Sequence, residues 1–330
     1  MSRRSVADLA DGDAIDDVFL VSDKQLRANR QGNLFLQLEL RDRTGAIAAR
    51  MWNATEQQFR SFESGAFVRV KGKVQLFQGS LQVIFSNFEC VSTEGLPMAD
   101  FLPQTENDVS RMYERCRTLL RGQTPALRAL AEAFWIDEKL IDALCRAPAG
   151  IRNHHAYLGG LLEHVVNMME VADRILPLYP DLNRDVLLMG IFLHDIGKVR
   201  ELSYEHAFGY TDEGQLLGHL NIGVEILEEK IRRVPELTGE PFPAELTLRL
   251  KHMILSHHGT HEFGSPRLPM TPEAIALHHI DNLDAKIHTY VREIKDDRQG
   301  TSAWTPYNNA TQRRLFKGLS ENSDPIADDA

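Results

Sequence analysis

Apolar and polar residues alternate with period two in five short runs near the start of the chain, at 18–22, 34–40, 47–52, 66–74 and 81–85. Alternation sends successive side chains to opposite faces, so these runs predict half-buried antiparallel strands. Turn formers separate them: R-Q-G-N at 30–33, D-R-T-G at 42–45 and Q-G-S at 78–80. Between the third and fourth runs, T-E-Q-Q-F-R-S-F (55–62) predicts a short helix with Thr55 as its N-cap. Five strands with a helix between the third and fourth predict an all-β OB-fold barrel over 16–93. A generic small barrel or sandwich is the alternative plan.

The period then changes. Residues 94–110 carry Pro97 and Pro103 and read as a linker. Beyond them apolar residues recur at i, i+3 and i+4, predicting helices at 111–121, 126–134 and 138–145, with breaks at Gly122, Pro125 and Pro148. Further helices are predicted at 158–175, 184–194, 216–232, 244–257 and 272–294. The expected organisation is an extension (1–15), the barrel (16–93), the linker (94–110), connecting helices (111–150), an all-α domain (151–300) and a C-terminal segment (301–330). Residues 319–330 read as a disordered acidic tail.

Composition narrows the function classes. Hydrophobic residues make up 43% and charged residues 25%, an ordinary globular balance. The net charge of −10 excludes a uniformly basic nucleic-acid binder but allows a local basic face. Three cysteines without C-x-x-C spacing argue against a disulfide framework or a cysteine-built zinc site. There is no apolar run of about 18 residues and no signal-like N-terminus, so a cytoplasmic protein that meets no membrane is expected.

Histidine is unevenly placed: all 13 lie between His154 and His288. This points to metal or acid–base chemistry in the helical domain. The strongest local signal is F-L-H-D-I-G-K (192–198), an apolar helix ending in adjacent His194 and Asp195. Side chains about 100° apart can offer one cation an imidazole nitrogen and a carboxylate oxygen. Gly197 would let the chain turn closely around that point. Other candidate ligands fall near predicted helix ends: His164, His219, His257 and His258 in S-H-H-G, and Asp281. Either histidine of the S-H-H-G pair could be the ligand. Imidazoles with two carboxylates suffice for two divalent ions, and suit Mn, Fe, Co or Zn better than Ca or Mg. Such ions would activate a water for phosphodiester hydrolysis. Asp195 and Lys198 are the catalytic candidates, with Lys198 either on a phosphate oxygen or leaving group, or a solvated lysine ending a helix. His154 and His155 are candidates for substrate contact or for helix capping. His206, His252, His261, His278, His279 and His288 read as structural or peripheral, although His278 could orient a ligand.

The ordered set His164, His194–Asp195 and Asp281 resembles the H…HD…D signature of the HD-domain superfamily of metal-dependent phosphohydrolases. The further histidines resemble its two-metal branch. With an OB-like barrel in front, the chain resembles the YhaM-type 3′→5′ exoribonucleases over about residues 16–317. The phrases S-D-K-Q-L-R-A-N-R-Q-G-N (22–33), H-H-A-Y-L-G-G-L-L-E-H (154–164), H-D-I-G-K (194–198), S-H-H-G (256–259) and L-H-H-I-D-N-L-D-A-K (277–286) carry the resemblance. It implies 3′→5′ attack on single-stranded RNA, or single-stranded DNA, releasing nucleoside monophosphates. It also implies a preference for Mn²⁺ and a homo-oligomeric assembly.

The barrel fits such a substrate. From Lys24 to Lys73 there are ten Lys or Arg against four Asp or Glu. Single-strand binders combine a basic groove with stacking aromatics. Arg27, Arg30, Arg41, Lys71 and Lys73 are candidate phosphate contacts. Phe59, Phe62, Phe67 and Phe85 lie in or near the segment too; several of these aromatics must be barrel core, and Phe35, Trp52 and Phe77 are the better candidate stacking rings. Two rival readings are a phosphohydrolase of a small or cyclic nucleotide, and a nucleic-acid-binding factor without activity.

Overall fold

The computed structural model describes residues 4–29, 31–77, 79–122, 124–151, 154–205, 207–297, 302–308 and 311–318. Arg30, His206 and the acidic tail at 319–330 lie outside them. Five strands, β1 (Ala14–Ala28), β2 (Leu34–Asp42), β3 (Gly45–Trp52), β4 (Phe67–Phe77) and β5 (Ser80–Val91), close a barrel in the order β1-β2-β3-β5-β4. Only the β3–β5 ladder is parallel. β1 runs well past the apolar stretch 18–22, because Asp23–Ala28 keep pairing with Leu34–Glu39. A bulge at Ser22 interrupts the alternation there, and backbone pairing continues without it. Phe19, Val21, Leu36, Leu38, Leu40, Val68 and Val83 fill the barrel. α1 (Glu56–Arg60) lies between β3 and β4, where Thr55 Oγ1 accepts from Gln58 N at 3.2 Å and the Gln58 side chain accepts from Thr55 N at 2.9 Å.

The second half is helical: α2 (Val109–Leu119), α3 (Pro125–Trp135), α4 (Glu138–Arg146), α5 (Gly160–Ile175), α6 (Arg184–Leu193), α7 (Lys198–Glu201), α8 (Asp212–Thr238), α9 (Ala244–Ser256) and α10 (Pro272–Asp296). One antiparallel pair, β6 (Leu202–Ser203) with β7 (Gly209–Tyr210), interrupts the helices. Two-residue strands are too short to leave a periodic trace in sequence. Every residue of α6 from Val186 to Leu193 is buried, so it has no polar face and lies inside the bundle, against α5, α9 and α10. Side chains of Asn183, Thr211 and Thr271 cap α6, α8 and α10.

The stretch 94–110 carries more packing than its sequence suggests. Phe101 and Leu102 are buried with Leu20 and Phe67, and the Phe101 and Phe67 rings meet edge-on at 4.9 Å. Leu158 N donates to Pro103 O at 2.8 Å and Thr105 N to Leu158 O at 2.9 Å, tying the connector to the helical half. Arg43 N donates to Asp100 O at 3.0 Å, tying it to the β2–β3 turn. Among the described residues, no helix is long and apolar enough to cross a membrane.

Candidate metal centre and nucleic-acid interface

Five helices deliver the candidate ligands to one point. His164 lies on α5, His194 caps the C-terminus of α6, and Asp195 follows it. His219 stands directly after a break in α8, where Gly218 takes φ +71° and splits the predicted helix in two. His257 and His258 end α9, and Asp281 lies along α10. Gly197 has φ −62°, so it is not needed for a left-handed turn. Its missing side chain serves close packing instead, since a Cβ there would sit 2.0 Å from His219 O. Gly259 (φ +81°) turns the chain after His258 against the His278 ring, where a Cβ would sit 2.1 Å from an imidazole carbon.

The two oxygens of Asp195 face two sets of nitrogens. Oδ2 lies 3.3 Å from His194 Nε2 and 4.0 Å from His164 Nε2, and His164 Nε2 lies 3.3 Å from Asp281 Oδ1. Oδ1 lies 3.5 Å from His219 Nε2 and 3.6 Å from His257 Nε2. His258 Nε2 lies 3.3 Å from His219 Nε2, so both members of the S-H-H-G pair reach the cluster. His164 Nε2, His194 Nε2 and Asp195 Oδ1 are buried without a hydrogen-bond partner. Buried polar atoms are normally paired, and three such orphans on the two sides of one carboxylate fit bound cations. His164, His194, Asp195 and Asp281 would hold one ion; Asp195, His219, His257 and His258 would hold a second.

The other ring nitrogens are already bonded, which leaves the Nε2 lone pairs available. His164 Nδ1 donates to Asp284 Oδ2 at 2.7 Å, His194 Nδ1 to Ile191 O at 2.7 Å, His219 Nδ1 to Glu201 Oε1 at 3.0 Å and His257 Nδ1 to Ile254 O at 2.8 Å. Outer partners of this kind set the tautomer and aim of metal-binding imidazoles. His278 Nδ1 donates to His257 O at 2.8 Å and steadies the loop. Glu201 and Asp284 were not singled out in the sequence. Asp284 follows Asp281 by one helical turn, and that spacing was the available signal.

Lys198 starts α7 and is mostly buried, donating to Asp195 Oδ2 and to Ala149 O, each at 2.7 Å. It is thus neither solvated nor at a helix C-terminus. Burial works against its charge, but the Asp195 carboxylate outweighs it and the lysine pKa is raised. Burial likewise opposes ionisation of Asp195, and Lys198 with His194 outweighs that, holding the carboxyl well below its usual range. His164 is disfavoured as a cation by burial, yet the neighbouring carboxylates of Asp281 and Asp284 lift its pKa to about 9, so a bound cation would compete with a proton for Nε2. Burial pushes His257 down to about 4 and His154 to about 3. The carboxylates of Asp195, Asp281, Asp284 and Glu201 outnumber the one lysine, a surplus that favours bound cations.

His154 lies beside His164 and Asp281, with its ring 5.3 Å from that of His164. His155 is buried in a left-handed conformation, φ +47°, which costs energy for a residue with a side chain. Its Nε2 donates to Asp284 Oδ2 at 2.9 Å, and its ring stacks on His288 at 4.0 Å. His288 is therefore joined to the centre through His155, not peripheral.

On the barrel, Phe35 and Trp52 are cross-strand partners with ring centroids 5.1 Å apart, and Arg27 pairs with Phe35 from β1. Trp52 is 47% exposed and Phe77 44%, with the Arg50 guanidinium 5.5 Å from the Phe77 ring. Arg50 was not among the expected contacts. Arg41 shares the outer face of β2 with Phe35, six residues further along. Lys71 and Lys73 lie on β4, which pairs with β1 and β5 only, and Lys71 is 3.2 Å from Asp16. Lys71, Lys73 and Phe77 nevertheless share the exposed face of β4, and Lys73 opposes Ile84 of β5, which opposes Arg50 of β3. Phe62, Phe67 and Phe85 are buried, and Phe59 packs half-buried against the core.

An OB-fold barrel joined to a histidine–aspartate cluster defines a class: an OB-fold protein with an HD phosphohydrolase domain. Residues 20–91 match the OB-fold nucleic acid binding domain family, and residues 161–286 match the HD domain family. The 3′-5′ exoribonucleases YhaM of Bacillus velezensis and Bacillus subtilis are each 35% identical over 291 residues, covering 88% of this chain and 90% of the relative. YhaM of Shouchella clausii is 35% identical over 295 residues, covering 88% and 89%. The chain belongs to the YhaM 3′-5′ exoribonuclease family.

Proposed function

We propose that this chain hydrolyses the phosphodiester bonds of single-stranded RNA, and of single-stranded DNA, from the 3′ end and releases nucleoside monophosphates. The observation that carries the reading is the set of buried, unpartnered donor atoms on His164, His194 and Asp195. Bound there, divalent ions supply a Lewis acid and a water whose pKa is lowered toward neutrality. Two ions, with Mn²⁺ preferred, belong to this reading; the bridging placement of Asp195 and the imidazole-rich donor set support it. The chain's own residues aim the donors. Lys198 holds Asp195, Glu201 holds His219, Asp284 holds His164, and His154 stands where it can meet substrate. Arg27, Phe35, Arg41, Trp52 and Phe77 grip the strand upstream, with Lys71 and Lys73 on the same face of β4 as Phe77; Arg30 is assigned there from sequence alone.

Cytoplasmic location is part of this reading, supported by free Cys90, Cys116 and Cys145. So is a homo-oligomer, supported by large apolar side chains left exposed at Leu216, Leu248, Phe263 and Met270.

The test is a 5′-labelled single-stranded RNA with Mn²⁺, comparing the wild type, Asp195→Asn and a chelated sample. Asn is chosen because it keeps the side chain's size and an oxygen that accepts from Lys198, whereas Ala would leave a cavity as well as an unpaired lysine. A ladder shortening from the 3′ end in the wild type alone is expected. An intact, metal-loaded wild type that leaves RNA whole but cleaves a cyclic dinucleotide overturns the reading.

A further inference from the structure

A cleft of about 920 Å³ separates the β2–β3 turn from α5 and α10, and no candidate ligand of the metal centre lines it. We propose that this cleft is the passage for single-stranded RNA between the barrel face and the metal centre, with Arg43 and Lys295 as its phosphate contacts. The inference deepens the proposed function and rests on it.

Three observations lead there. The first is continuity with the barrel. Arg41 lines the cleft and lies on the same outer face of β2 as Phe35, about 20 Å along the strand at 3.3 Å per residue. A polynucleotide stacked on Phe35 and Trp52 and lying along β2 is thereby led to the cleft mouth.

The second is continuity with the centre. The opposite wall includes Asp284, His288 and Lys295 of α10. Asp284 is one turn from Asp281 and bonded to His164. Lys295 stands about 16 Å further along the helix at 1.5 Å per residue. His288, stacked on buried His155, adds a ring held in place by its neighbour, and a ring surface accepts any base.

The third is the state of the charges. Most acids of the lining are already bonded within the protein. Asp42 accepts from Val6 N and Thr44 N, each at 2.8 Å; Glu163 accepts from the Thr105 hydroxyl; and Asp296 pairs with Arg292 at 3.3 Å. Arg43 and Lys295 are both exposed, and neither forms an ion pair with any described residue. The lining holds four cations against five carboxylates, and among the four Arg43 and Lys295 are the exposed ones and so available to phosphate.

The experiment measures binding of a fluorescent single-stranded RNA to the full chain across a salt series, with a chelator to prevent turnover. Arg43→Ala, Lys295→Ala and the double variant are compared with the wild type and with Arg111→Ala, an exposed position on α2 outside the cleft. The double variant is expected to bind about tenfold more weakly near physiological salt, and the slope of log K on log salt to shrink by about 0.7 per lost contact. Arg111→Ala is expected to leave both unchanged. In parallel, RNA carrying 4-thiouridine is expected to crosslink to peptides spanning 43–46 and 288–295. Wild-type affinity and slope in the double variant, or crosslinks confined to other peptides, overturn the passage while the proposed function stands. A wild type that neither binds nor shortens RNA takes down the function itself.

Discussion

At the scale of single residues, the centre depends on groups that touch no ion. Four of the five candidate ligand histidines, His164, His194, His219 and His257, have Nδ1 tied to a carboxylate or a carbonyl, so their Nε2 atoms point inward. Glu201 is the clearest case. Its Oε1 accepts from both the backbone and the ring of His219, at 2.9 and 3.0 Å. Glu201→Gln and Asp284→Asn should each reduce metal affinity or turnover about 10–100-fold, with the fold unchanged. Metal content per chain and single-turnover rates check this, and wild-type metal uptake in both variants counts against it. Histidines and the H-D pair stood out in the sequence because their types are rare and chemically specific. Glu201 and Asp284 did not, because acidic residues are common on helices and only a bonded partner separates an aiming carboxylate from a solvated one.

At the scale of elements, glycines let the helices meet. Gly197 admits the His219 carbonyl, and Gly218 breaks α8 so that His219 begins a new helical run facing Asp195. The two have different needs. At Gly218 a Cβ meets nothing within 4 Å, so Gly218→Ala costs only the positive-φ backbone, about 1–3 kcal/mol. At Gly197 a Cβ collides with backbone, which cannot yield as a flexible side chain can. Gly197→Ala should therefore lower Tm more than Gly218→Ala and lose metal from the His219 half. Equal, small shifts in both would show that α7 and α8 separate easily. The period of apolar residues predicted eight helices and five strands near their observed places. It ran 216–232 through the Gly218 break, because the apolar spacing that marks a helix face does not report one left-handed residue.

At the scale of the whole molecule, two cores are joined by a connector that supplies its own apolar contacts. Phe101 and Leu102 bury against Phe67 and Leu20, so the barrel is anchored beside the centre. The buried histidines make global stability depend on pH. Partial burial lowers the pKa of His288 to about 4, from its ordinary 6.5. As pH falls below 6.5 the unfolded chain takes up a proton that the folded chain refuses until about pH 4. Folding is then favoured most above pH 6.5 and weakens as pH falls toward 4. Tm of the metal-free protein should fall across that window, and His288→Gln should make the fall shallower. An unchanged slope in the variant would remove His288 from the account.

The sequence by itself determined the two halves, the order of their elements and the residue types at the centre. Those follow from local rules: side-chain period, turn chemistry and the scarcity of histidine–aspartate pairs. Only the tertiary structure decided that both His257 and His258 reach the cluster, that Lys198 serves Asp195, that Arg50 stands against the Phe77 ring, and that a cleft separates α10 from the β2–β3 turn. Each of these depends on which way a side chain points once distant segments pack. That direction is set by contacts between residues up to 133 positions apart, such as His155 with His288, which no local pattern encodes.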